Sequence, residues 1–215
     1  MKIGIIGAGN IGRAYARLWH KAGHQVFLSS RSPQDHQGFV DGLGDGALVG
    51  TVVEAAQFGE VVFLAANYAS ADGALRAIRP YVKNKLVIDS MNPLRAPDDD
   101  RKDPLIGEDE IAGLVTKAKL PEARVARAFT GLRAGYIEAK SDTASPWLAI
   151  PLAVDDQKDR SLVEGLISDA GFVPAYVGGL EQAGALDPGS PIWNVLLSKE
   201  EALSGARAFN QTKGA

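Results

Sequence analysis

The sequence predicts an α/β protein: a doubly wound, mostly parallel sheet with a short C-terminal appendage. Two observations and one physical rule carry this. Short apolar runs alternate with helix-period segments from Lys2 to Val177. The first run ends in glycines that open directly into an amphipathic helix. Strands buried on both faces and joined by crossover helices are the stable arrangement of such an alternation. Beyond Leu180 the pattern gives way to Pro188, Gly189 and Pro191, so residues 1–180 form the predicted domain and 181–215 the appendage.

In order, Lys2–Ile6 is a short buried strand. Ile11, Ala14, Tyr15, Leu18, Trp19 and Ala22 follow at offsets 0, 3, 4, 7, 8 and 11, one stripe of a helix. Gly23 stands where a left-handed cap is expected, and Gln25–Ser29 resumes as a strand. Ala47–Val49 is a weak strand, and Thr51-Val52-Val53-Glu54 has capping-box spacing for a short helix. Glu60–Ala65 reads as a strand, Ser70–Arg79 as a helix stopped by Pro80, and Lys85–Asp89 as a strand. Ala96–Asp103 is a charged run that reads as a solvated loop. A helix over Glu108–Lys119, a strand over Arg124–Phe129 and a strand within Trp147–Val154 come next. A helix with Leu162, Val163, Leu166, Ile167 and Ala170 on one face, capped by Gly171, leads to Phe172–Val177, read as the last regular element.

The composition is that of an ordinary globular chain, 46% hydrophobic and 23% charged over 215 residues. Basic residues number 23 and acidic ones 26, a net charge of −3, which argues against a nucleic-acid partner bound through bulk charge. The absence of cysteine excludes disulfides, thiolate catalysis and Cys-ligated metals. No run approaches the ~18 apolar residues of a membrane span, and the N-terminus lacks the pattern of a signal peptide. The expectation is a cytoplasmic protein with no membrane partner.

Gly7-Ala8-Gly9-Asn10-Ile11-Gly12 is G-x-G-x-x-G in the context that gives the motif meaning: it ends a strand, opens a helix and lies in a βαβ unit. Gly7 permits the tight turn, Gly9 lets a pyrophosphate approach the backbone, and Gly12 lets helix and strand pack closely. Phosphates then sit at the positive helix N-terminus. The competing reading is a glycine turn kept for packing alone. The dinucleotide predicted is NADP(H). An NAD site places an acid ~20 residues on to bond the ribose 2′-hydroxyl, whereas Ser29-Ser30-Arg31-Ser32 stands here. Hydroxyls and a planar guanidinium suit a 2′-phosphate.

Ligands of doubly wound sheets lie outside the carboxyl ends of the strands. Two such ends stand out, Ala65-Ala66-Asn67-Tyr68 and Ser90-Met91-Asn92-Pro93-Leu94. Ala65 and Ala66 leave room for a ribose or nicotinamide. Asn67 and Asn92 suit a carboxamide or an acceptor carbonyl, or else serve as turn residues satisfying their own backbone. All three histidines (His20, His24, His36) precede the third strand, no metal-ligand cluster appears, and no Tyr-x-x-x-Lys pair is present. Chemistry that needs mainly positioning, such as hydride transfer between two redox cofactors, fits best.

Taken together, these residues resemble the NADPH-dependent reductases of the deazaflavin coenzyme F-420, the F-420:NADP oxidoreductases. The resemblance runs through Lys2–Gly12, Ser30-Arg31, Asp89–Leu94, Arg127-Ala128-Phe129-Thr130, Pro151–Asp156, Ala170-Gly171-Phe172 and Gly178–Leu186. It implies a Rossmann-type domain with NADP across the strand ends, held by Gly9, Asn10, Ile11, Ser30 and Arg31. It implies also a deazaflavin pocket built by the fifth-strand loop and the 129–135 segment. Asn92, Pro93, Leu94 and Thr130 would border the acceptor, with Phe129 beside them. Two departures fall on the acceptor side: Thr130-Gly131 where many relatives carry Asn-Thr, and Asp187-Pro188-Gly189-Ser190-Pro191 before Trp193.

The leading expectation is therefore an NADP-dependent oxidoreductase passing hydride to or from F-420 or a flavin-like small-molecule acceptor, with no residue acting as a covalent catalyst. Reduction of a small imine or carbonyl and a non-catalytic NADP(H)-binding redox sensor are the alternatives. The cluster Trp193, Val195, Leu196 and Leu197 either folds back on the core or forms a homodimer contact.

Overall fold

The computed structural model describes residues 1–94, 105–107, 109–140 and 147–213. The charged run 96–103 and the start of the helix expected at Glu108 lie outside the described residues. Eight strands form one sheet: β1 (Lys2–Ile6), β2 (Gln25–Ser29), β3 (Ala47–Gly50), β4 (Val61–Leu64), β5 (Leu86–Asp89), β6 (Arg124–Ala128), β7 (Ala149–Val154) and β8 (Val173–Gly178). Their helices are α1 (Asn10–Lys21), α2 (Gln37–Leu43), α3 (Val52–Phe58), α4 (Ala71–Ile78), α5 (Ala112–Lys119), α6 (Ala134–Lys140), α7 (Gln157–Asp169) and α8 (Lys199–Lys213).

The strand order is β3-β2-β1-β4-β5-β6-β7-β8. The first six strands are parallel in the order of a dinucleotide-binding sheet. β7 pairs antiparallel with β6, and β8 runs parallel to β7. β7 therefore starts, rather than ends, at the edge where β1 to β6 finish. Alternation along each strand feeds two cores. Ile3, Ile5, Phe63 and Ile88 face α1 and α7, whereas Val62, Leu64 and Val87 face α3 and α4. An aromatic knot anchors the first face: Tyr15, Trp19, Phe63 and Phe129 pack with centroids 4.7–5.6 Å apart. The Trp19 Nε1–H donates to Leu166 O at 2.9 Å, tying α1 to α7.

The predicted local signals are realised. Gly23 and Gly171 have φ of 89° and 86°, and Thr51 and Glu54 form a reciprocal capping box. Ala22, expected on the helix stripe, is instead the exposed C-cap of α1. Phe172–Val177 is not the last regular element. α8 lays Ala202 against Ala149 and Ala175, and Ala206 against Ala185, Leu186 and Ile192. Its stripe is mostly alanine, which gives a weak apolar period. The Ser198–Glu201 box that starts it was readable in the sequence. No described helix is long and apolar enough to cross a membrane.

Candidate functional site

The glycine loop joins β1 to α1. Gly7 has φ of 117°, a region L side chains avoid, and a Cβ there would stand 2.7 Å from Ala65 O. The Gly7 amide donates to Ser29 Oγ at 3.1 Å, which fixes the loop against β2. A Cβ on Gly12 would collide with the Gly7 carbonyl, whereas one on Gly9 would meet nothing within 4 Å. Gly9 is the N-cap of α1, no side chain caps that end, and its first turn carries no acid. Those amides therefore face open space with the positive end of a twelve-residue helix behind them.

That open space belongs to a cavity of about 590 Å³ along the carboxyl edge of the sheet. Of the residues singled out from sequence, Gly9, Asn10, Ile11, Ala65, Ala66, Asn67, Ser90, Asn92, Leu94 and Thr130 line it. Gly7 and Gly12 lie behind the loop as backbone supports. Ser30 and Arg31 follow β2, whose end pairs with that of β1, so they share the edge one strand away without lining the cavity. Pro93 is buried and off the wall. Phe129, expected beside the acceptor, lies in the aromatic knot beneath, because its left-handed φ of 65° ends β6 with Ala128 and Phe129 in the same core.

Several wall residues carry a structural duty as well. Ser90 Oγ donates to Leu64 O at 2.7 Å. Asn67 Oδ1 accepts from the Ala69 amide at 3.0 Å, so its turn role and its place on the wall coexist. Asn92 Nδ2 donates to Thr130 O at 3.0 Å, and its Oδ1 accepts from Trp193 Nε1–H at 3.1 Å. Thr130 Oγ1 donates to Leu186 O at 2.8 Å.

Sequence reasoning did not place Trp193 and Asn194 on this wall, and gave no role to Tyr68 and Met91, which lie within the two strand ends it singled out. Leu132, Arg133, Ala134 and Gly135 also line it, within the segment the resemblance pointed to. The tail reaches the wall because Leu197 O accepts from the Ala149 amide at the start of β7. Trp193 and Leu196 thus fold back, while Val195 stays exposed.

Under the floor lies a buried ion cluster. Arg127, fully buried, donates to Met91 O at 2.5 Å, lies 3.3 Å from Asp89 Oδ1 and pairs with Asp187 at 2.7 Å. Asp89 also accepts from Thr116 Oγ1 at 2.7 Å and the Met91 amide at 2.9 Å. Burial lifts the Asp89 carboxyl above its ordinary value, against the pull of Arg127 and these two donors. Burial acts to discharge Arg127, but Asp187 and Asp89 outweigh it and hold the guanidinium charged. Burial also pushes the Tyr68 hydroxyl up to about 12, helped by Asp89. The histidines lie elsewhere: His20 Nε2 is 2.9 Å from Asp45 O and His24 Nε2 3.0 Å from Asp169 Oδ2. Among the described residues no group of three or more His, Asp or Glu side chains is placed to hold a metal.

Solved structures share this architecture. A hypothetical protein from Sinorhizobium meliloti superposes with a TM-score of 0.76 at 25% identity, over 92% of this chain and 95% of that one. A protein from Arthrobacter sp. FB24 assigned as an F420-dependent NADP reductase gives 0.72 at 22%, over 86% and 88%. The imine reductase of Myxococcus stipitatus, in complex with NADP+, gives 0.65 at 16%, over 86% of this chain but 58% of its own. The last two likenesses establish the fold. No curated protein matches the chain. Residues 2–93, from β1 through the loop after β5, match the family model described as "NADP oxidoreductase coenzyme F420-dependent". Over those residues the chain is similar to the coenzyme F420-dependent NADP oxidoreductases.

Proposed function

We propose that the chain is an NADP(H)-dependent oxidoreductase that passes hydride between nicotinamide and a deazaflavin (F-420) or flavin-like acceptor. One observation carries the reading. The cavity that begins at the glycine loop continues past the ends of β4 and β5, and its described wall holds no carboxylate and no imidazole, with Arg133 its one ionised side chain. A wall of that kind orients two ring systems. It has little with which to shuttle protons.

The loop fits a dinucleotide. The amides at the start of α1 and the empty space over Gly9 suit a pyrophosphate. Ala65 and Ala66 leave room for the nicotinamide ribose. Ser30 and Arg31, on the same edge, suit the 2′-phosphate. When bound, NADPH supplies the hydride; the acceptor takes it with two electrons and draws its proton from solvent. Asn92, Met91, Leu94, Thr130 and Trp193 hold the acceptor side. Imine reduction, to which the fold likeness also points, requires a proton donor at the nitrogen; on the described wall the Tyr68 phenol is the candidate, and its hydroxyl is buried away from solvent.

The test is NADPH oxidation by the purified chain with F-420, FMN, FAD, a ferric chelate and a small cyclic imine in parallel. Turnover with F-420 or a flavin is the expected result. Turnover with the imine alone replaces the acceptor. Tight NADPH binding without any turnover makes the protein a sensor. Arg31→Ala should lower NADPH affinity about tenfold or more and leave NADH nearly unchanged, the consequence of losing a charge-assisted phosphate contact. An unchanged ratio of the two affinities refutes the NADP preference.

A further inference from the structure

Trp193 reaches the cavity from the C-terminal tail, 101 residues beyond the asparagine it touches. An indole has one donor and no acceptor, and that donor is committed to Asn92 Oδ1 at 3.1 Å. The Thr130 carbonyl can only accept, so the opposite end of the Asn92 amide must be the nitrogen, as observed at 3.0 Å. The two contacts fix the amide and the indole together. What Trp193 presents to the cavity is therefore carbon surface alone, on a wall that also carries Met91, Leu94 and Leu132.

The segment that delivers the indole is clamped at both ends. Upstream, Asp187 pairs with Arg127 and accepts the Ala112 amide at 2.9 Å, and Ser190 Oγ donates to Ala185 O at 2.5 Å. Downstream, Leu197 O holds the Ala149 amide at 2.8 Å. Between them the chain passes over Gly131, where an added Cβ would stand 3.5 Å from the Asn194 amide nitrogen. A ring held this way is ordered before any ligand arrives, so its contact costs little entropy on binding.

We propose that Trp193 is a specificity-determining residue that sorts hydride acceptors by shape, packing its indole against a planar aromatic ring and giving a small non-aromatic acceptor little to contact. This rests on the reading of the site as an NADPH oxidoreductase. Offset or edge-on packing of one aromatic system against another adds to simple area burial. A tail delivering such a surface ties acceptor choice to residues 187–197 rather than to the glycine-loop half of the molecule.

The experiment uses the full chain with Trp193→Phe, Trp193→Leu and Trp193→Ala, each checked for folding by thermal melt. Binding of NADPH is titrated by fluorescence, and KM and kcat are measured for the planar acceptor the wild type uses, F-420 or FMN. Trp193→Ala should raise acceptor KM about tenfold, as for the loss of one stacking partner. Trp193→Phe should raise it about threefold or less, and Trp193→Leu should fall between, with kcat and NADPH Kd within about twofold of wild type throughout. If Ala fails to fold, the Phe-against-Leu difference carries the test. Unchanged KM in all variants overturns the proposal. So does a joint loss of NADPH affinity, which marks a structural role, or a Phe variant as poor as Leu, which assigns the effect to the Asn92 bond. A wild-type protein that binds no NADPH, or reduces no planar acceptor, overturns the parent reading before any variant is made and the proposal with it.

Discussion

Asp187 Oδ1 accepts two hydrogen bonds from Arg127, from Nε at 3.0 Å and from Nη2 at 2.7 Å, across 60 residues of sequence. The same guanidinium donates to Met91 O on the cavity wall. One side chain on β6 thus holds the loop after β5 and the start of the tail in fixed relation, and the cavity floor rests on it.

Removing that side chain strands two carboxylates in the interior. Arg127→Ala should cost about 3–5 kcal/mol, the usual penalty for breaking a buried pair from one side. Asp187→Asn, which keeps an acceptor for the guanidinium, should cost less. Urea unfolding midpoints of the two variants measure this, and equal midpoints for wild type and Arg127→Ala would falsify the account.

The parts of the site legible in the sequence were those made by neighbours in sequence. Gly7, Gly9 and Gly12 work within one turn, and Ala65 and Ser90 sit at strand ends that periodicity locates. What escaped depends on partners far along the chain. Asp187 reads as an acid in a Pro-Gly loop until Arg127 is found beside it, and Trp193 as part of an apolar cluster that either folds back on the core or makes a dimer contact until Asn92 is. α2 escaped for a different reason: it carries Gly38 and Gly42 within seven residues and buries only Val40. Phe129 was misplaced because strand alternation does not reveal the positive φ at the end of β6.

Gly9 and Gly12 should respond oppositely to the same methyl group. Gly9 has φ of −72°, and its added Cβ meets no protein atom. Gly9→Ala should leave stability unchanged or raised by up to about 1 kcal/mol, yet weaken NADPH binding at least about tenfold by filling the phosphate space. Gly12→Ala drives its methyl into the Gly7 carbonyl and should cost about 1–3 kcal/mol by overpacking. Thermal melts with and without NADPH separate the two. A Gly9→Ala protein that binds NADPH normally would remove the phosphates from this loop.

Tyr15 lies fully buried in the aromatic knot, and its hydroxyl finds no hydrogen-bond partner among the described residues. A buried polar group without a partner costs about 1–3 kcal/mol. Tyr15→Phe keeps the ring contacts with Trp19, Phe63 and Phe129 and removes the hydroxyl, so it should be neutral or stabilising by about 1 kcal/mol, where most core substitutions destabilise. A drop of similar size in urea stability would mean that the hydroxyl has a partner in solution.

Alkaline stability should depend on Tyr68. Its hydroxyl is buried without a described partner, and burial, with Asp89 second, raises it to about 12. In the unfolded chain a tyrosine ionises near ~10. Below that pH both states hold the proton and the group adds no pH dependence. Between ~10 and ~12 the unfolded chain releases a proton that the folded one retains, so unfolding is favoured as pH rises. Tyr68→Phe removes this release. Its melting temperature relative to wild type should therefore climb from pH 9 to pH 11, while the 295-nm absorbance of folded wild type at pH 11 shows Tyr68 still protonated. A constant difference in melting temperature across that range would show that Tyr68 ionises alike in both states, and that its hydroxyl reaches water from the cavity rather than lying against the Asp89–Arg127 floor.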